Sequence, residues 1–286
     1  MSDIYDRNIP CFGIAGNFTG HLEQAGEASD FANFKVADKN APKAIFPTYL
    51  PKSENGKNEK ITPTFLHIFP FDDKKIIFPE GENKLQIEPE CGIIFKAEWK
   101  NQKLVNLTPL YFAASNDCSI RKEGAKKISE KKNWGLSSKG FSKKLIAIDT
   151  FESPSILDNY RIASFLIRDG IVHPYGEDSL VCNYSYMYKK LITWMLDKFN
   201  FQEDTGPAQD IHSMLIQSGC PQKIMVSIGA TRYTKWGEEN FLQKGDKALV
   251  ILYPQSEFSP EKILKAVEEN SLGSPSISVL CQTIEL

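Results

Sequence analysis

The chain has 286 residues, 41% apolar and 24% charged, with a formal net charge of -2. That length suits one large domain or two modest ones around a sizeable core, and the charge balance excludes a global pull toward nucleic acid or an anionic membrane. Six cysteines (Cys11, Cys91, Cys118, Cys182, Cys220 and Cys281) are scattered without a CxxC pair, which argues against a thiolate metal site and reads as free thiols.

The N-terminal MSDIYDRNIP lacks the basic start and apolar run of a signal peptide. No apolar segment approaches the roughly 20 residues of a membrane helix, so a cytoplasmic protein is expected. GIAGN, residues 13–17, is Gly-rich without phosphate-loop spacing and reads as a strand turning into a loop. Residues 51–64 are polar and rich in Pro, Lys and Asn, the composition of an exposed loop. Short apolar runs bounded by turn residues follow, each with the pattern of a strand: TFLHIFPF, KKIIFP, CGIIFKAEW, LYFAAS, KLIAID, IASFLIRDG, KIMVSIG and KALVILY. Helices are predicted over 185–200, where Met187, Leu191, Trp194, Met195 and Leu196 share a face, and over 260–270, opened by Pro260. A third is predicted over 120–132. Strands outnumber helices without βαβ alternation, which predicts an α+β fold with a dominant β portion.

The chemistry starts at LQIEPECGIIF, residues 85–95. Glu88 and Glu90 are two apart on a strand, so their side chains point the same way. One reading makes that face solvated. The other begins from FAASNDCSIRK, residues 112–122, where a second apolar strand ends in Ser115, Asn116 and Asp117. Three converging carboxylates would repel by roughly 4 kcal/mol per pair at about 4 Å and an effective dielectric of about 20. A divalent cation relieves that, and an all-oxygen ligand set favours magnesium, manganese or calcium over zinc.

Four segments in order resemble the fumarylacetoacetate hydrolase superfamily: NFTGHLEQAG (17–26), IEPE followed by NDCSIR, NWGLSSKGF, and VSIGATRYTKWGEENFLQKGD. The resemblance runs from about residue 13 to 250 and implies a mixed β-sandwich roll with few helices, and a homodimer. It implies that Glu88, Glu90 and Asp117 hold the metal, Mg2+ first with Mn2+ or Ca2+ as alternatives. It gives Lys139 the place beside metal and substrate, and His21 the lid position that activates water. Arg121, Thr231 and Gln24 are the candidate substrate-binding residues. The family's lid glutamate reads Gln24 here, with Glu23 displaced by one as the remaining candidate partner of His21. The family's Thr-Gly-Thr reads Ile228-Gly229-Ala230 with Thr231 next, and Gly124 stands where many members have Gln.

The implied organisation is an N-terminal segment, 1–64, bearing a lid at 17–31, then a metal-binding catalytic β core over 65–255. Residues 256–286 form a helix and strand of no assigned role. The implied activity is hydrolysis or decarboxylation at a C–C bond of a small 1,3-dicarbonyl or α-keto acid, with tautomerisation as a variant. One alternative is a family-fold protein without catalysis. Another uses the nine basic residues between Arg121 and Lys144, with Trp134 and Phe141, to bind nucleic acid.

Overall fold

The computed structural model describes residues 5–31, 38, 40–52 and 62–286. The expected loop at 51–64 therefore lies mostly outside the described residues. In chain order, β1 (Cys11–Ala15) and β2 (Ala44–Tyr49) flank the lid segment, with β3 (Lys75–Ile77) and β4 (Leu85–Gln86) next. β5 (Pro89–Lys100) and β6 (Lys103–Asn116) form the long central hairpin, followed by the short β7 (Ser119–Ile120), β8 (Gly140–Phe141) and β9 (Ile146–Ala147). β10 (Tyr160–Arg168), β11 (Ile171–Leu180), β12 (Lys223–Ala230), β13 (Lys247–Pro254) and β14 (Ser278–Glu285) complete the strands. The helices are α1 (His21–Gln24), α2 (Tyr188–Phe201), α3 (Ile211–Gln217), α4 (Lys235–Glu239) and α5 (Pro260–Glu268). The fold is α+β and mostly β, as the patterning predicts.

Two mixed sheets face one another. One has the order β2-β1-β12-β5-β6-β8, with β9 also on β6, and the other the order β11-β10-β13-β14-β3. Alternation assigns each residue its core. On β13, Ala248, Val250 and Leu252 enter the main core between the sheets. Leu249, Ile251 and Tyr253 enter a second core under α5, with Ile263 and Val267 of that helix. On β5, Cys91, Ile93 and Phe95 face the main core, so Glu90 and Ile94 take the opposite face. That opposite face is covered by Phe69, Phe71 and Phe141.

Three expectations change. TFLHIFPF forms a 3-10 turn over Thr64–His67 and no strand. Pro63 and Pro70 bracket it and deny it ladder donors. The helix expected over 120–132 is absent. Gly124 sits at φ 76, in the left-handed region, and only Ile128–Lys131 turn as a 3-10 segment. The strand β11 carries Pro174 and Gly176 and is an edge strand, where proline is tolerated, which is why no strand signal shows in its sequence. The last residues are built into the fold. β14 pairs with β13 and β3, and Gln282 Oε1 accepts from Asn116 Nδ2 at 2.9 Å beside the acidic strand ends.

Candidate metal centre

The centre sits where the β5–β6 ladder opens. Pro89 pairs with Asn116 and Glu90 with Ser115; beyond them the two chains splay and then pair again as Gln86–Ser119 and Leu85–Ile120. Within the gap, the Asp117 amide donates to the Glu88 carbonyl at 3.0 Å and the Glu88 amide to Asn116 Oδ1 at 3.2 Å. One oxygen each from Glu88, Glu90 and Asp117 lies within 4.8 Å of the others. Their exposures are 3%, 1% and 2%, which removes the solvated-face reading.

Glu90 is positioned by a bulge. The β12–β5 register slips between Ser227 and Ala230, and the freed Gly229 amide donates to Glu90 Oε2 at 2.7 Å. Gly229 has φ 118, and an added Cβ would lie 3.0 Å from that of Asn17, so glycine is needed there. Burial, with the Asp117 and Glu88 carboxylates close by, pushes the Glu90 carboxyl well above its usual range.

Buried cations offset the rest. Lys132 Nζ lies 2.5 Å from Glu88 Oε2 and 2.8 Å from Asp117 Oδ2. Lys139, the residue before β8, places Nζ 2.9 Å from Asp117 Oδ1 and also donates to the Cys118 carbonyl. Arg121 is a hub. Its Nη2 lies 2.7 Å from Glu88 Oε1 and donates to Tyr233 Oη at 2.7 Å, its Nη1 donates to Glu27 Oε1 and its Nε to Gln86 Oε1, each at 2.8 Å. Burial alone would raise the Glu88 carboxyl, but Lys132 and Arg121 outweigh it and hold the group well below its usual range. For Lys139 burial dominates and lowers the ammonium despite Asp117. Burial pushes the Cys118 thiol up to about 12, so it is no nucleophile.

The lid stretch differs from expectation. His21 Nε2 is 3.9 Å from Glu88 Oε1, beyond hydrogen-bond reach, and its buried Nδ1 has no hydrogen-bond partner. Glu23 is exposed on α1 and is not brought to the cluster, because the helix turns it away from the face that buries His21 and Leu22. Gln24 uses both ends of its amide on the Tyr233 backbone, accepting from N at 2.8 Å and donating to O at 3.1 Å. That is a structural clamp, and Gln24 also lines the open cavity described below. Arg121 is likewise committed to protein partners. Thr231 is buried, with its amide donating to Pro89 O at 3.2 Å, one residue past Ala230, which lines the enclosed void described below.

Two residues went unread in the sequence. Glu27 is a buried carboxylate bonded to Arg121 and, at 2.9 Å, to Lys131. In the sequence Lys132 is one lysine of a basic run. Of that run, Arg121, Lys131, Lys132 and Lys139 point inward, while Lys122 and Lys143 pair at the surface with Glu82 and Asp73.

The donor set suits a hard divalent cation. All three ligands are carboxylates, and two buried oxygens, Glu88 Oε1 and Asp117 Oδ2, have ion-pair neighbours but no aligned hydrogen bond. One cavity borders the centre at Glu88, and a second lies beyond Glu27 and Arg121. An enclosed void of about 10 Å³ is lined by His21, Glu27, Phe46, Glu88 and Lys132, room for one water. An open cavity of about 530 Å³ is lined by Gln24, Glu27, Arg121, Lys131 and Phe241. Glu27 borders both.

A family model described as "Family of unknown function (DUF5718)" matches residues 27–284. A search of curated protein sequences finds no match. Among solved structures, 2-keto-3-deoxy-D-arabinonate dehydratase in its apo form is 12% identical with a TM-score of 0.53, covering 96% of this chain and 72% of that one. The same enzyme complexed with magnesium and 2,5-dioxopentanoate gives 12%, 0.52, 96% and 72%. 5-Carboxymethyl-2-hydroxymuconate delta-isomerase from Mycobacterium smegmatis gives 12%, 0.50, 96% and 78%. The likeness to these dehydratase and isomerase structures is one of fold. Among the described residues no helix is long and apolar enough to cross a membrane.

Proposed function

The chain belongs to the family of unknown function DUF5718, and on that premise we propose that it is a divalent-metal-dependent enzyme cleaving a C–C bond of a small α-keto acid or 1,3-dicarbonyl. The observation that carries this reading is the buried convergence of Glu88, Glu90 and Asp117 beside Lys139. The related fold complexed with magnesium and a dioxo acid supports magnesium as the ion and a keto acid as the ligand class. Glu88, Glu90 and Asp117 would hold the ion, which supplies a Lewis acid for carbonyl oxygens and developing enolate charge.

The chain's own residues then divide the work. Lys139, anchored on Asp117 and the Cys118 carbonyl, is a preorganised positive group facing that charge. Arg121 and Lys131 face the open cavity and meet a substrate carboxylate once Glu27 gives way, because Glu27 now occupies both. His21 is the imidazole that the lid brings to the cluster, but none of Glu23, Gln24 and Glu27 orients it. A histidine base relies on such a partner for its tautomer and aim. Decarboxylation, which needs no activated water, is therefore favoured over hydrolysis, with tautomerisation the next choice.

The test is turnover of oxaloacetate and of acylpyruvates with Mg2+ or Mn2+. Oxaloacetate decarboxylation is expected, with a drop of about 10²-fold or more in Lys139→Met, the scale of removing one preorganised electrostatic group. No turnover of any of these substrates with either ion would sink the reading.

A further inference from the structure

Lys132 stands where a divalent cation has to go. Its Nζ is 2.5 Å from Glu88 Oε2 and 2.8 Å from Asp117 Oδ2, and these are two of the three converging carboxylates. Magnesium draws oxygens to about 2.0–2.1 Å in a near-octahedral shell. An ion between these same carboxylates would meet the ammonium at contact distance, and two cations do not share such a space.

Charge leads to the same conclusion. The buried cluster sets the carboxylates of Glu27, Glu88, Glu90 and Asp117 against Arg121, Lys131, Lys132 and Lys139. A divalent ion added among Glu88, Glu90 and Asp117 overcharges that end of the set unless one cation withdraws from these carboxylates. Lys139 is anchored on the far oxygen of Asp117 and on the Cys118 carbonyl, and Arg121 is held by four partners. Lys132 has somewhere to go. It lines the enclosed void together with Glu27, and its ammonium lies 5.2 Å from the Phe46 ring centroid.

We propose that Lys132 is an internal counter-cation that competes with the divalent ion for the cradle. Before loading, its ammonium holds Glu88 and Asp117 together; loading moves it out toward Glu27. The inference rests on the reading that these carboxylates take a divalent ion, and it adds the residue that sets how tightly they do so.

The experiment titrates MnCl2 into the EDTA-treated full chain and its Lys132→Met and Lys131→Met variants, reading free Mn2+ by electron paramagnetic resonance and melting temperature in parallel. Lys132→Met is expected to bind Mn2+ at least about tenfold more tightly than the unaltered chain, and Lys131→Met to stay within about threefold of it. The unaltered chain is expected to melt at the same temperature in EDTA as without it, whereas Lys132→Met gains on adding Mn2+. If Lys132→Met does not fold in EDTA, return of a cooperative melt with MnCl2 supports the proposal, and its failure to return overturns it. Equal affinities of the unaltered chain and Lys132→Met overturn it, as does an equal gain in Lys131→Met. None of these readouts involves a keto acid, so a negative substrate screen and a failed competition are separate results.

Discussion

The strands β13 and β5 are both buried on their two faces, and they achieve it in opposite ways. β13 is apolar throughout its interior, with Val250 and Leu252 toward one core and Leu249 and Ile251 toward the other. At its start β5 is apolar on one face, but on the other it presents Glu90 beside Glu88, and the segment laid over them supplies Lys132 and Lys139. An apolar face tolerates any neighbour of the right volume. A charged face tolerates only the charges that match it, because a buried ion left without its partner keeps the full desolvation cost.

The largest expected effect tests that difference with two near-isosteric changes. Leu252→Met conserves volume and should cost less than about 1.5 kcal/mol. Glu88→Gln leaves no cavity, yet it strips Lys132 and Arg121 of a shared anion and should cost about 3–5 kcal/mol. Urea denaturation of the two variants against the parent decides it; equal losses would mean that the charged face is no more demanding than the apolar one.

Glu27 gives an intermediate effect with a pH signature. Burial raises its carboxyl, but Arg121 and Lys132 outweigh that and hold it below its usual value. A group lowered in the folded state contributes stability that is present above its unfolded pKa, near 4.3, and is lost as pH falls through the folded value. Glu27→Gln should therefore be less stable than the parent by about 1.5–3 kcal/mol at pH 7, the scale of hydrogen bonds to charged groups. The gap should close as pH drops below about 4. A gap that stays constant to pH 3 would show that Glu27 acts through shape instead of charge.

The same contrast explains what was legible beforehand. The strands β5, β6, β10, β12 and β13 are legible because each contains a short, mostly apolar run close to turn residues. Glu88, Glu90 and Asp117 are legible because the period of two and the strand end at Asn116 put them together. Lys132 is not, since a lysine within a run of lysines has the pattern of a solvated face, and only the tertiary cover over β5 turns it inward. Glu27 is hidden for the same reason, being brought to Arg121 by a lid that carries no periodic signal. The helix expected over 120–132 failed at Gly124, where a basic stretch with helical composition turns instead, so that Arg121 and Lys132 can reach the same carboxylate from both ends.

The smallest effects lie on the lid, where neighbouring residues separate clamp from surface. Gln24 closes a two-way bond with the Tyr233 backbone, so Gln24→Ala should cost about 1–3 kcal/mol at roughly 0.5–1.5 per bond. Glu23 is one residue away and exposed, so Glu23→Ala should stay within about 0.5 kcal/mol of the parent and leave turnover unchanged. The comparison is sharpest in turnover. A carboxylate orienting His21 from position 23 would require α1 to turn by one residue, about 100°, which would carry Leu22 off its buried face and pull Gln24 from Tyr233. Should Glu23→Ala lose activity while keeping its stability, the lid must reach that other register during catalysis. His21 would then regain an acidic partner, and hydrolysis would replace decarboxylation as the favoured chemistry.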